Sequence, residues 1–230
     1  MNNYFTDHYS LMNNIDATNE ESIKNWFDNG YKFYCMELNN LIDFEIANKR
    51  IVDLGCGIGG LINFLIGKGA KNICGVDSSQ DQLNICEKYV TTNVLCLDVF
   101  DFLKRELTFD LIFAFDLIEH IKKEKLHALV ELLHNRLANG GILIIRTPNM
   151  GSISGLHSRY IDLTHEIGFT EESIRQLFNG YNFKKISIRN AYIGKKRHLA
   201  IKTINWLIRK IYNIPTPKIV TTNLIVIIQK

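Results

Sequence analysis

The sequence of 230 residues predicts an α/β fold built on a mostly parallel sheet flanked by helices. Three observations predict it. The stretch IVDLGCGIGG, residues 51–60, passes from apolar residues suited to a buried parallel strand into a cluster of four glycines, with a helix to follow. Residues 72–77 (NICGVD), 94–98 (VLCLD) and 109–116 (FDLIFAFD) are further apolar runs, each closing on an aspartate. Helical segments separate them, as in consecutive βαβ units.

The glycine cluster is the first chemical signal. Gly55, Gly57, Gly59 and Gly60 let the backbone turn sharply and approach a ligand, and the helix behind them offers free N–H groups. The spacing Gly55-x-Gly57-x-x-Gly60 satisfies a dinucleotide fingerprint. Asp53-x-Gly55-x-Gly57-x-Gly59 resembles the first motif of class I S-adenosylmethionine-dependent methyltransferases. Asp53 favours the second, because a carboxylate there suits an ammonium group and repels a pyrophosphate. Asp77 follows about 20 residues later, where an acid can accept hydrogen bonds from ribose hydroxyls.

The other elements follow in order. Residues 1–50 are expected to be a helical cap, with a capping box at Thr18 to Glu21 (TNEE), apolar positions Ile23, Trp26, Phe27, Tyr34, Leu38, Leu41 and Ile42, and a break at Asn29-Gly30. Residues 61–68 form a short helix ended by Gly69, and Ser78 or Ser79 caps the next. Residues 117–121 (LIEHI) lead to a helix over 122–137, which Asn139-Gly140-Gly141 terminates before a fifth strand at 142–147. Thr170 to Ser173 (TEES) starts a helix; residues 183–193 form a sixth strand and 224–228 a last one, apolar on both faces. Residues 195–212 form a basic helix, with Ala200, Ile204, Leu207, Ile208 and Ile211 on one face. Packing of that helix on the body and contact with a membrane surface are both open to it.

Over residues 45–150 the pattern DLGCGIGG, GVD, LD, FDLIFAFDLIEHI, LANGGILIIRTPN is similar to class I methyltransferases throughout. The resemblance implies a Rossmann-like seven-stranded sheet whose antiparallel C-terminal strand lies between the fifth and sixth. It implies one domain over 1–230: a cap (1–50), a cofactor-binding core (51–149), an active-site rim insertion (150–170) and a C-terminal part (171–230) with the basic helix. The donor would be S-adenosylmethionine, leaving S-adenosylhomocysteine, held by Asp53, Gly55, Cys56, Gly57, Gly59, Asp77, Ser78, Asp98, Val99 and Phe115, with Asp98 at the adenine amino group. The segment 159–170 (RYIDLTHEIGFT) and the closing strand also resemble a subgroup of methyltransferases of bacterial surface-polysaccharide biosynthesis.

Methyl transfer to a hydroxyl requires alignment and removal of a proton. His165, His120, Asp162 and Tyr160 are the candidate catalytic residues. Asp116-x-x-Glu119-His120 with His165 also resembles an acid-x-x-Glu-His…His metal set of certain RNA 2′-O-methyltransferases and, in part, of quinone-biosynthesis O-methyltransferases. Such oxygen and imidazole ligands suit Mg²⁺, Mn²⁺ or Zn²⁺. The acceptor is expected to be a sugar, sugar nucleotide or polysaccharide, with a quinone or other small molecule as the alternative.

Composition narrows the classes. The longest apolar runs fall far short of the ~20 residues of a membrane-spanning helix, and the polar N-terminus has no apolar signal core. Five cysteines without CxxC spacing read as reduced thiols of a cytoplasmic protein. The net charge of +3 hides an asymmetry: residues 1–150 hold 14 Lys+Arg against 20 Asp+Glu, and 151–230 hold 13 against 4. From Lys184 onward no residue is acidic, so the C-terminal part could attract an anionic partner, including the inner face of a membrane through 195–212. An NAD(P)-dependent oxidoreductase lacks a visible second substrate domain, and nucleic-acid binding lacks a recognisable motif.

Overall fold

A computed structural model describes residues 10, 15–16, 18–38, 45–213, 215 and 217–230. The fold is a seven-stranded sheet, mostly parallel and flanked by helices, in the order β3-β2-β1-β4-β5-β7-β6. The chain divides into two compact units, Met1–Phe113 and Ala114–Lys230.

In the first unit β1 (Arg50–Leu54) pairs in parallel with β2 (Asn72–Asp77) and with β4 (Phe109–Phe115), and β2 pairs with β3 (Val94–Cys96). The register sets Asp53 beside Gly75 on one side and Phe113 on the other. Ile51, Val52, Leu54, Leu111, Ile112 and Phe113 are all buried, as strands covered on both faces require. The third strand is two residues shorter than its apolar run suggests. Asp98 leaves it to cap α4 (Val99–Leu103), its Oδ1 accepting from the Phe100 amide at 2.8 Å.

Helix α1 (Glu20–Leu38) runs unbroken through Asn29 and Gly30, against the expected break. Its packing on α2 (Gly60–Gly67) offsets the ~1 kcal/mol that a helical glycine costs. Tyr31 and Tyr34 both meet the Phe64 ring, and Gly60 and Gly67 leave room for Trp26 and Tyr31. The N-terminal cap is Asn19 rather than Thr18: its Oδ1 accepts from the amides of Glu21 and Ser22, while Thr18 turns to Asp16. Leu41 and Ile42 lie outside the described residues.

In the second unit β5 (Leu137–Pro148) pairs antiparallel with β7 (Asn223–Gln229), which pairs antiparallel with β6 (Lys185–Asn190). β7 buries Leu224, Ile225, Val226 and Ile228, as an inner strand must. β5 begins at Leu137, ahead of the glycines expected to precede it, because the chain end extends the ladder: Gly140 N–H donates to the Lys230 carbonyl and Lys230 N–H to Gly141. The preceding helix is correspondingly short, α5 (Leu126–Arg136), behind two 3₁₀ turns at Ile118–His120 and Lys123–Lys125. The short helix α6 (Gly155–Tyr160) follows β5. Thr170 and Ser173 cap α7 (Glu171–Phe178) reciprocally, as its TEES start predicts. β6 is shorter than expected because Phe183 packs on His134 and Phe178 instead of joining the ladder.

The basic helix α8 (Lys195–Ile211) forms where predicted, and among the described residues no helix is long and apolar enough to cross a membrane. It does not pack through its apolar side. Asn205 is its one buried residue, and Ile204, Leu207, Ile208 and Ile211 are exposed.

Candidate active site

In the first unit, the turn from β1 into α2 is held from beneath. The amides of Gly55 and Cys56 both donate to the Val76 carbonyl at the end of β2, and Gly57 N–H donates to Asp77 Oδ2 at 2.8 Å. Asp77 Oδ1 accepts from Ser79 N–H, and Ser79 caps α3 (Gln80–Tyr89). Asp77 thus braces the loop with both oxygens. Gly55, Gly57 and Gly59 all take positive φ. Among the described residues no side chain caps α2, so its first amides are donors that a ligand can use.

Packing explains why residue 59 must be glycine. A Cβ there would lie 2.4 Å from Cys86 Sγ, on a backbone at φ +87°; Gly69 has a similar φ of +95° and open space. Gly59→Ala is therefore expected to destabilise by about 1–3 kcal/mol, more than Gly69→Ala, in a denaturant titration. Equal costs would mean that strain alone matters.

Helix α1 supports this loop from outside. Ile23 and Phe27 bury Ile58 of the loop in a small cluster that Trp26, Ile85, Tyr89 and Val90 complete. Gln82 lies below, with its Oε1 buried and 2.7 Å from where a Gly57 Cβ would stand. Neither Ile58 nor Gln82 stands out in the sequence, since both read there as ordinary loop and helix residues.

Asp53 is 3% exposed. Burial, and next the charge of Asp77, hold its carboxyl well above the usual carboxylate range. A cationic group brought to this acid pair would relieve both effects, so the residues fit a donor with an ammonium group. Cys56 is a buried thiol pushed up by the same burial and acids, a packing residue and no nucleophile. Asp98 and Ser78 are exposed and Val99 is buried.

The second unit gathers Glu119, His120 and His165. Their ligand atoms lie within 4.8 Å of one another, and the two imidazole centroids are 4.8 Å apart. The loop carrying His165 is tied back by the amides of Glu166 and Ile167, both donating to the Glu119 carbonyl. Glu119 is buried; its Oε2 accepts from Thr147 Oγ1 at 3.0 Å, and its Oε1 has no hydrogen-bond partner among the described residues. Burial, and next the charge of Asp116, raise its carboxyl well above the usual range.

The hydrogen bonds fix both tautomers. His165 Nδ1 faces the Ser158 carbonyl at 3.0 Å, so it carries the proton. Thr164 Oγ1 spends its one hydrogen on Asp162 Oδ1 at 2.6 Å, so at 2.9 Å it accepts from His120 Nδ1. In the neutral ring each Nε2 then keeps its lone pair. Burial, then His165, lower the His120 pKa and keep its ring neutral. Two imidazole nitrogens and an unpartnered carboxylate oxygen suit a divalent cation, with Thr147, Thr164 and Ser158 orienting the ligands.

Three further candidates lie around this cluster. Asp116 stands outside this cluster: at the end of β4, with φ +50°, it accepts from the Arg146 guanidinium. Asp162 Oδ1 accepts from both the amide and the hydroxyl of Thr164, the residue that bonds His120. Tyr160 is 70% exposed on α6 beside the Arg159 guanidinium. Thr164 and Ser158, which bond the two imidazoles, are residues that spacing alone does not single out. A threonine between Asp162 and His165 is the one available signal.

Comparison with known proteins gives the family and the fold. The family described as "Methyltransferase domain" matches residues 26–188. A ubiquinone biosynthesis O-methyltransferase of Glaesserella parasuis serovar 5 is 30% identical over 160 residues, 60% of this chain and 66% of that protein. The chain thus spans just under two thirds of the length of this curated relative. Among solved structures, an S-adenosylmethionine-dependent methyltransferase from Archaeoglobus fulgidus superposes with a TM-score of 0.68 at 23% identity, over 87% of this chain and 94% of that one. A magnesium protoporphyrin IX methyltransferase from Synechocystis with bound S-adenosylhomocysteine gives 0.60 at 13% identity, over 100% and 97%.

Proposed function

The chain belongs to the methyltransferase domain family, and we propose that it methylates a hydroxyl group of a small molecule, of quinol or catechol type, with S-adenosylmethionine as donor. The likeness to a ubiquinone biosynthesis O-methyltransferase favours this acceptor over the surface-polysaccharide one. The observation that carries the reading of an oxygen acceptor is the cluster of Glu119, His120 and His165, with its free oxygen and two free Nε2 lone pairs.

S-adenosylmethionine, when bound, supplies an electrophilic methyl on a sulfonium. The loop at Gly55 to Gly60 holds it through backbone amides, and Asp53 and Asp77 hold it through their carboxyl groups. Glu119, His120 and His165 would hold a divalent cation, whose chemistry there is Lewis acidity toward the acceptor oxygen. The Thr164 and Asp162 contacts hold His120 in the tautomer that presents its Nε2 lone pair, which ligates that cation or, without one, accepts the hydroxyl proton.

Transfer of label from methyl-tritiated S-adenosylmethionine to catechols, quinols and nucleotide sugars tests this. Label in the phenolic compounds is expected. Label in the sugars alone would overturn the reading and restore the polysaccharide one.

A further inference from the structure

Helix α8 packs with its polar side inward. At helical spacing His198, Ile201, Asn205 and Arg209 form its inner stripe, and all four are buried or half-buried. Arg209 anchors the stripe, donating to the carbonyls of Gly151 and Pro215 at 2.7 Å each. The apolar residues lie elsewhere on the helix: Leu199 is 66% exposed, Ile204 50%, Leu207 47% and Ile211 78%.

A helix in a water-soluble fold ordinarily buries its apolar stripe and leaves its charges wet. Here the charges that are wet flank apolar residues that are also wet. Lys195, Lys196, Arg197, Lys202 and Lys210 are all exposed, and Lys210 lies over the Trp206 ring at 5.0 Å. No acidic residue occurs from Lys184 to the end of the sequence, so nothing in that stretch neutralises them.

We infer that α8 is an interfacial helix that docks this methyltransferase on an anionic phospholipid surface. Charge complementarity selects that occupant. Basic residues meet the headgroups while Ile204, Leu207, Ile208 and Ile211 enter the acyl boundary, and Trp206 lies at headgroup level. Arg209 ties the helix down and Asn205 is buried beneath it, so that the apolar side stays outward. The attraction acts only within the ~8 Å screening length of physiological salt, so it adds to apolar insertion and cannot replace it. The inference stands apart from the proposed acceptor.

Flotation of the full chain with vesicles of phosphatidylcholine alone, and of equal parts phosphatidylcholine and phosphatidylglycerol, tests it. Binding to the anionic vesicles is expected, weakening as salt rises. Changing Lys195, Lys196 and Arg197 together to Gln should reduce affinity on the order of a hundredfold. Ile208→Asp should abolish binding while circular dichroism stays unchanged, because that residue lies at the surface. Brominated lipid should quench tryptophan emission in the parent chain and much less in Trp206→Phe. Absence of binding to anionic vesicles, equal binding to neutral ones, or binding indifferent to both sets of changes would overturn the inference. A concentration-dependent dimer that Ile208→Asp dissolves, without vesicle binding, would also overturn it and assign the face to a second copy.

Discussion

His165→Ala is expected to lower kcat/KM by about 10²–10³-fold while leaving donor affinity unchanged. The imidazole is one of three ligand groups, and losing a Lewis acid removes several kcal/mol of transition-state stabilisation. His120→Ala should cost a similar amount, and the two losses together should be little more than one, because either change dismantles the same cluster. EDTA should reproduce the effect in the parent chain, and elemental analysis should find a divalent cation that both variants lack. Full activity in chelator, with no cation found, would leave the imidazoles as proton acceptors. The pH–rate profile would then report the lowered His120 pKa directly. Thr164→Val separates the roles: it keeps the ring and the longer contact of Nδ1 with the Thr164 carbonyl but removes the hydroxyl acceptor, so kcat should fall with KM nearly unchanged.

Asp53→Asn is expected to make the free protein more stable while weakening donor binding on the order of a hundredfold. The sign follows from linkage. Asp53 keeps its proton in the fold at pH values where the unfolded chain has lost it. Stability therefore falls as pH rises from the ordinary carboxylate range to the raised native value, and beyond that the penalty is constant. Glu119 adds a slope of the same sign. The asparagine variant should lose the Asp53 share of that slope in melts across pH. A bound ammonium group favours the charged carboxylate, so donor binding should release a proton. Calorimetry in buffers of different ionisation enthalpy reads that proton out. A pH-independent binding enthalpy with no proton released would remove Asp53 from the site.

The fold was legible wherever one residue pattern had one structural outcome. The apolar runs of β1, β2, β4 and β7 are buried on both faces, and the sequence carries that directly. Misreadings arose where distant packing overrode local preference. Gly30 reads as a break because glycine is a poor helix former, yet Trp26, Tyr31 and Tyr34 hold α1 on α2. Asn139 to Gly141 reads as a turn, but Lys230, almost 90 residues away, extends the ladder through it.

The site divides in the same way. Glu119, His120 and His165 are reactive types at suggestive spacing. Asp116 matches the metal pattern equally well, and only its partner Arg146, on another strand, takes it out. The hydrogen bonds of Ser158, Thr147 and Thr164 cross strands and loops, so no local pattern shows them. For α8, periodicity finds the apolar face but says nothing of which face packs; the anchor of Arg209 on Gly151 decides that.

The donor is the centre of the account, and calorimetric titration with S-adenosylhomocysteine beside NADH tests it most directly. Saturable one-to-one binding of the homocysteine compound is expected, weakened by Asp77→Ala because that carboxylate both braces Gly57 and faces the ligand loop. NADH should give no saturable heat. Tight NADH binding, with none by S-adenosylhomocysteine, would contradict the account.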